Sequence, residues 1–163
     1  MSIAKLRDLP VFKGLKDTHL KALEETLDFS TYPDGRFMVK AGKESTRDKD
    51  EFFVILGGKV IVSTHTTSPN QVPVERTLNV GDIFGLVTFL NGGARTANCR
   101  ADGFVSAVSL KRKRYEELLK SNPTLASELL FVLAAQLARD VRACNTGILQ
   151  AIENAATGGA RKA

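Results

Sequence analysis

Hydrophobic and polar positions change their rhythm twice along this chain. Between residues 2 and 27, Leu6, Leu9, Leu15, Leu20, Leu23 and Leu27 recur at roughly helical spacing, which predicts helices with one apolar face. Pro10 and Gly14 split the stretch. Asp17 or Thr18 offers a side-chain cap for a second helix over about residues 19–27. From residue 29 to 110 the pattern becomes short runs of Val, Ile, Phe and Thr separated by turn residues. The runs cover 29–32, 36–40, 51–56, 59–64, 74–78, 96–101 and 104–110. Pro33-Asp34-Gly35, Gly57-Gly58, Ser68-Pro69-Asn70, Gly81-Asp82, Asn91-Gly92-Gly93 and Asp102-Gly103 punctuate them. Gly57-Gly58 between two apolar runs predicts a tight hairpin, because primed turns need positive φ. Many short strands at this spacing predict a small barrel or a double-sheet jelly roll.

Helical spacing returns after residue 110. Residues 111–120 read as a short helix stopped by Pro123, and residues 124–153 as one long helix. The Ala- and Gly-rich residues 154–163 read as a flexible tail. The chain is therefore expected to be one mainly β domain over residues 1–153, with flanking helices. Ala134, Val141 and Ile148 fall at one heptad position of the long helix, and Leu137, Cys144 and Ala151 at the other. This 3–4 spacing predicts either a homodimer seam or a face packed on the chain's own strands.

Composition narrows the function classes. The chain has 163 residues, 43% hydrophobic and 25% charged, with a formal net charge of +5. That composition excludes a disordered chain. The longest apolar run, residues 129–135, falls far short of the ~20 residues that span a bilayer. Lys5, Arg7 and Asp8 interrupt the place where a signal peptide would carry its apolar stretch. A cytoplasmic location is expected. Two cysteines, Cys99 and Cys144, make no disulfide framework, and the two histidines, His19 and His65, make no metal-ligand pattern with them. There is no GxGxxG, P-loop or GxSxG sequence, so no enzyme is expected.

The segment from Gly81 to Ala97 carries the candidate chemistry. A strand is expected to end at Phe84, and Gly85 allows close approach of another backbone. Residues 86–90 read as a short helical turn whose leading N–H groups favour an anion. Arg95 follows a Gly-rich connection and can return to the same point. Backbone donors and a guanidinium together make a phosphate site. The plainer alternative is a bend at Gly85 and a surface charge at Arg95.

Several motifs in order carry a family resemblance. They are Leu9-Pro10-Val11-Phe12-Lys13-Gly14-Leu15; Tyr32-Pro33-Asp34-Gly35 with Phe37; and Phe52-Phe53-Val54-Ile55-Leu56-Gly57-Gly58-Lys59-Val60. Gly81-Asp82-Ile83-Phe84-Gly85, then Arg95-Thr96-Ala97, and then Tyr115 through Pro123 follow. Over about residues 8–150 the chain resembles cyclic-nucleotide-binding domains, the β-roll module of catabolite activator proteins, protein kinase A regulatory subunits and gated channels. The resemblance implies a cyclic-nucleotide-binding-type β-roll (jelly roll) with N-terminal helices and a long C-terminal helix. It also implies a ligand site at Phe84, Gly85, Leu86, Val87, Thr88, Arg95, Thr96 and Ala97. There Arg95 pairs with a cyclic phosphate, and Thr96 is compatible with guanine contacts. The implied ligand is cyclic AMP or cyclic GMP, with no cofactor and no metal.

The family's cassette places a Glu, acceptor for the ribose 2′-hydroxyl, where this chain has Leu86. A hydrogen bond to a charged group contributes roughly 1.5–3 kcal/mol, so its loss predicts ~10–150-fold weaker binding. Thr88 replaces a common Ala, and the loop of residues 43–50 is more charged and longer than usual. The catabolite-activator group carries a helix-turn-helix after its long helix. About ten residues follow Glu153 here, so the expected output is a protein partner rather than specific DNA binding or a membrane. A pocket that has lost its ligand, leaving a protein-interaction adaptor, is the alternative. The basic run Lys111-Arg112-Lys113-Arg114 reads as a solvated helix start. Cys99, Phe84 and Phe89 read as core residues, and Cys144 as a seam residue. His19, His65, Glu116 and Glu117 read as surface groups.

Overall fold

The computed structural model describes residues 6–42, 50–64 and 74–159, with side chains through Asn154. A 3-10 turn, Pro10–Phe12, precedes helix α1, Asp17–Thr26. Strands β1 (Asp28–Tyr32), β2 (Phe37–Val39), β3 (Glu51–Thr64), β4 (Glu75–Leu78) and β5 (Ile83–Phe84) follow. Helix α2 is Leu86–Asn91, strand β6 is Ala97–Lys111, helix α3 is Arg112–Ser121, and helix α4 is Pro123–Gly159.

Two long strands form the spine. β3 and β6 pair antiparallel from Glu51↔Lys111 to Thr64↔Ala97, and every other strand pairs with one of them. β1 lies on the second half of β6 and β5 on the first half of β3; β2 and β4 lie on the opposite halves. The sheet is thus antiparallel throughout, the arrangement expected of a roll.

The expected hairpin at Gly57-Gly58 is not formed. The glycines lie inside β3, where the register against β6 shifts between Ile55 and Lys59. Gly58 has φ +83°, and a Cβ there would stand 2.3 Å from the carbonyl oxygen of Phe104. The glycines kink a continuous strand held tightly against its neighbour, which is the alternative meaning of Gly within a strand. The Asp102-Gly103 break likewise falls inside β6.

Alternation along β3 builds two cores. Phe53, Ile55 and Val60 point into the roll with Val39, Leu78, Phe84, Cys99 and Val105. Phe52 and Val54 point outward to the helices, among Phe12, Leu20, Leu23, Phe89, Leu110, Leu125 and Leu129. A strand covered on both faces reads as a continuous apolar run, as residues 52–56 do. Each fully buried Phe or Leu contributes roughly 1.5–3 kcal/mol relative to exposure.

The helices differ from expectation in detail. α1 begins at Asp17 behind Lys16, without a side-chain cap. Asp17 instead pairs with Arg7. His19 is largely covered and hydrogen-bonds Glu128 of α4 at 2.6 Å, so it is not a surface group. Asn122 caps α4 by accepting the Leu125 N–H at 3.1 Å, with Pro123 as the first helical residue. α4 runs past Glu153 to Gly159, through part of the expected tail. No helix among the described residues is long and apolar enough to cross a membrane. His65, Ser68-Pro69-Asn70 and residues 43–49 lie outside the described residues.

Candidate functional site

The site begins with Gly85. This residue ends β5 and precedes α2 with φ +83°. A Cβ there would lie 2.7 Å from the Glu51 carbonyl oxygen and 3.1 Å from the Arg95 guanidinium. Only glycine lets the chain turn from strand to helix with another strand and an arginine this close. The Phe89 N–H returns to the Gly85 carbonyl at 3.2 Å, closing the first turn of α2. The N–H groups of Leu86, Val87 and Thr88 precede any intrahelical partner.

Arg95 completes the arrangement. Its Nη1 donates to the Glu51 carbonyl at 3.0 Å and to the Gly85 carbonyl at 3.4 Å. Burial pulls Arg95 below its ordinary value, while the Glu51 and Asp50 carboxylates oppose that shift. Burial likewise pushes Glu51 above the usual carboxylate range, against a Ser109 hydrogen bond and the charge of Arg95. Arg95 remains protonated regardless, because a guanidinium holds its proton at any ordinary pH. Asp82, the carboxylate nearest in sequence to the cassette, does not draw it away. Its Oδ2 accepts the Asn79 N–H at 2.7 Å.

All eight residues expected from the sequence, Phe84 through Thr88 and Arg95 through Ala97, line one pocket of about 330 Å3. That volume suits a small ligand. Leu86 contributes to this wall, yet its side chain is buried with Phe52 and Phe89 in the helix-side core. Thr88 is buried as well. Cys99 lies in the pocket wall as a small buried residue, its thiol pushed up to about 12 mainly by burial.

α4 forms the opposite wall. Of the six heptad residues, Leu137, Val141 and Cys144 line the pocket, while Ala134, Ile148 and Ala151 are exposed and do not. The stripe therefore divides: its middle, from Leu137 to Cys144, faces the chain's own pocket, and its end, Ile148 and Ala151, lies beyond it. Sequence reasoning missed two charged groups here. Arg76 on β4 and Asp140 on α4 both line the pocket and approach to 3.6 Å. Asp140 also accepts from Gln136 Nε2 at 3.2 Å. The signal for Asp140 was the stripe itself, since residues 137, 140, 141 and 144 follow helical spacing.

The basic run is not simply solvated. Arg114 reaches the Thr26 carbonyl at 3.0 Å and Asp28 at 2.8 Å. Arg112 reaches the carbonyls of Phe89 and Leu90, both at 3.1 Å. Among the described residues no His, Cys, Asp and Glu group could hold a metal ion.

The chain shares its family and fold with known proteins. The cyclic nucleotide-binding domain family matches residues 30–122. The chain is 29% identical over 118 residues to the cGMP-dependent protein kinase isozyme 2 of Drosophila melanogaster, covering 71% of this chain and 12% of the kinase. It is 25% identical over 129 residues to the CRP-like cAMP-activated global transcriptional regulator of Mycobacterium tuberculosis, covering 79% of this chain and 55% of the regulator. The chain thus spans only part of these curated relatives. A cyclic nucleotide-binding domain from Methylobacillus flagellatus superposes with a TM-score of 0.78 at 21% identity, covering 91% of this chain and 80% of that one. The Thermus thermophilus catabolite activator protein gives 0.71 at 24%, covering 90% and 65%. The family model covers more than half of the chain, and the antiparallel sheet with its flanking helices and long C-terminal helix shares the fold of these structures. The chain belongs to the cyclic nucleotide-binding domain family.

Proposed function

We propose that the protein is a non-enzymatic signalling receptor for a cyclic nucleotide, with Arg95 and the N–H groups of residues 86–88 holding the phosphate. The observation that carries this reading is the convergence of Gly85, Arg95 and the leading turn of α2 on one pocket under α4. A guanidinium beside backbone donors recognises phosphate by charge and geometry together. The polar groups available to a base are Thr96, Arg76 and Asp140. Guanine offers N7 and O6 to a guanidinium, and N1–H and an amino group to a carboxylate. Adenine lacks the O6 acceptor and the N1–H donor, so these groups favour cyclic GMP over cyclic AMP. Leu86 cannot accept from the ribose 2′-hydroxyl, which places the affinity below that of a cassette with Glu.

Binding at the wall formed by Leu137, Asp140 and Val141 would reposition α4, whose projecting part carries exposed Ile148, Leu149 and Ile152. That apolar part of α4 would hold a second copy of the chain or the protein partner that receives the signal. The buried Leu86 supports the alternative, an adaptor without a nucleotide. A thermal-unfolding titration separates the two readings. A receptor gains Tm with cyclic nucleotide by mass action, and Arg95→Ala abolishes the gain while the protein stays folded. No shift at millimolar nucleotide supports the adaptor.

A further inference from the structure

Arg112 opens α3, in a basic run, outside the pocket. Its side chain is about three-quarters covered. Nη1 donates at 3.1 Å to both the Phe89 and Leu90 carbonyls, in the final turn of α2. Nε lies 3.4 Å from Glu116 Oε1. Its main-chain N–H donates to the Asp50 carbonyl at 2.7 Å. The next carbonyl along, that of Glu51, accepts from Arg95. One residue therefore touches the far end of the helix that walls the pocket, and also the strand start that anchors the pocket's arginine.

We propose that Arg112 is a positioning residue for phosphate binding: it fixes α2 from behind and cancels the negative pole that the α2 carbonyls would present to a bound anion. This inference rests on the phosphate site proposed above. The last carbonyls of a helix have no intrahelical partner and carry partial negative charge. α2 has six residues, so its ends stand about 9 Å apart. That is within a Debye length of about 10 Å at 0.1 M salt. An anion at the leading turn of so short a helix feels both ends. With the guanidinium on those carbonyls, the repulsion is replaced by attraction. The same two hydrogen bonds hold the tilt of α2, and hence the direction of its leading N–H groups relative to Arg95. Because Arg112 starts α3, and α3 packs on α4, a shift of α2 on binding reaches the output helix through this contact.

The test compares wild type, Arg112→Gln and Arg112→Lys in titrations with cyclic GMP and cyclic AMP, each variant's fold checked by thermal unfolding. Arg112→Gln is expected to lose about tenfold in affinity. The loss should be equal for both nucleotides, because the phosphate is common to them. Arg112→Lys, which keeps the charge, recovers most of it. Unchanged binding in a folded Arg112→Gln overturns the proposal, as does equal weakening by Gln and Lys or a loss confined to one nucleotide. If Arg112→Gln does not fold, the wild type decides by NMR. The Arg112 Nε–H resonance then shifts on nucleotide addition, and an unmoved resonance overturns the proposal. A wild type that binds neither nucleotide overturns the receptor reading and this inference together, whereas a wild type that binds with Arg112 indifferent removes only this inference.

Discussion

Arg76 on β4 and Asp140 on α4 approach to 3.6 Å at the wall of the pocket, joining the roll to the long helix. Both side chains are partly exposed, so the ion pair itself contributes at most about 1 kcal/mol. Asp140→Asn is expected to leave Tm within a few degrees of wild type while lowering the preference for cyclic GMP over cyclic AMP. Competition binding with the two nucleotides checks this, and an unchanged ratio would remove Asp140 from base recognition.

Gly85 joins the two halves of the proposed phosphate site. A Cβ would meet the Glu51 carbonyl at 2.7 Å and force a left-handed backbone on a residue with a side chain. Gly85→Ala is expected to cost about 1–3 kcal/mol of stability and to displace Arg95. Urea unfolding reads the first effect, and nucleotide titration the second.

Leu86 sets two requirements against each other. Leu86→Glu supplies an acceptor for a ribose hydroxyl and should tighten binding about tenfold or more. It also removes a side chain buried beside Phe52 and Phe89. The expected stability loss is about 2–5 kcal/mol, the range for truncating a buried Leu. Affinity and Tm should move in opposite directions. If they fall together, the introduced carboxylate does not reach the ligand.

The two thiols should behave differently. Burial pushes the Cys99 thiol up to about 12, whereas Cys144 is exposed. Alkylation of the native protein at pH 8 should modify Cys144 rapidly and spare Cys99, as read by peptide mass spectrometry. The shift also makes stability pH-dependent. In the unfolded chain the Cys99 thiol ionises near 9, whereas in the fold it stays protonated until about 12. The stabilisation is therefore complete below pH 9 and is lost as pH rises from about 9 to 12. Cys99→Ser should flatten this part of the pH–stability profile.

The cassette was legible through its resemblance to the family's motifs, because Gly85 and Arg95 taken alone fit a bend and a surface charge equally well. The helices were legible from their apolar spacing. The path of β3 was not. Gly57-Gly58 signals positive φ, and local sequence does not say whether that φ reverses a chain or kinks a strand pressed against Phe104. Pairing with β6 decides it, and that is a long-range contact. Arg112 and Arg114 were obscured for the same reason. A run of four cations looks solvated until the fold brings the Phe89, Leu90 and Thr26 carbonyls to two of them. The heptad stripe was read as one surface, but only Leu137, Val141 and Cys144 meet the pocket, because α4 runs on beyond the roll.

The most direct test is isothermal titration of the folded protein with cyclic GMP and cyclic AMP, with Arg95→Ala as control. Saturable micromolar binding that disappears in Arg95→Ala is the predicted result. The absence of heat from both nucleotides, on protein shown to be folded, would contradict it.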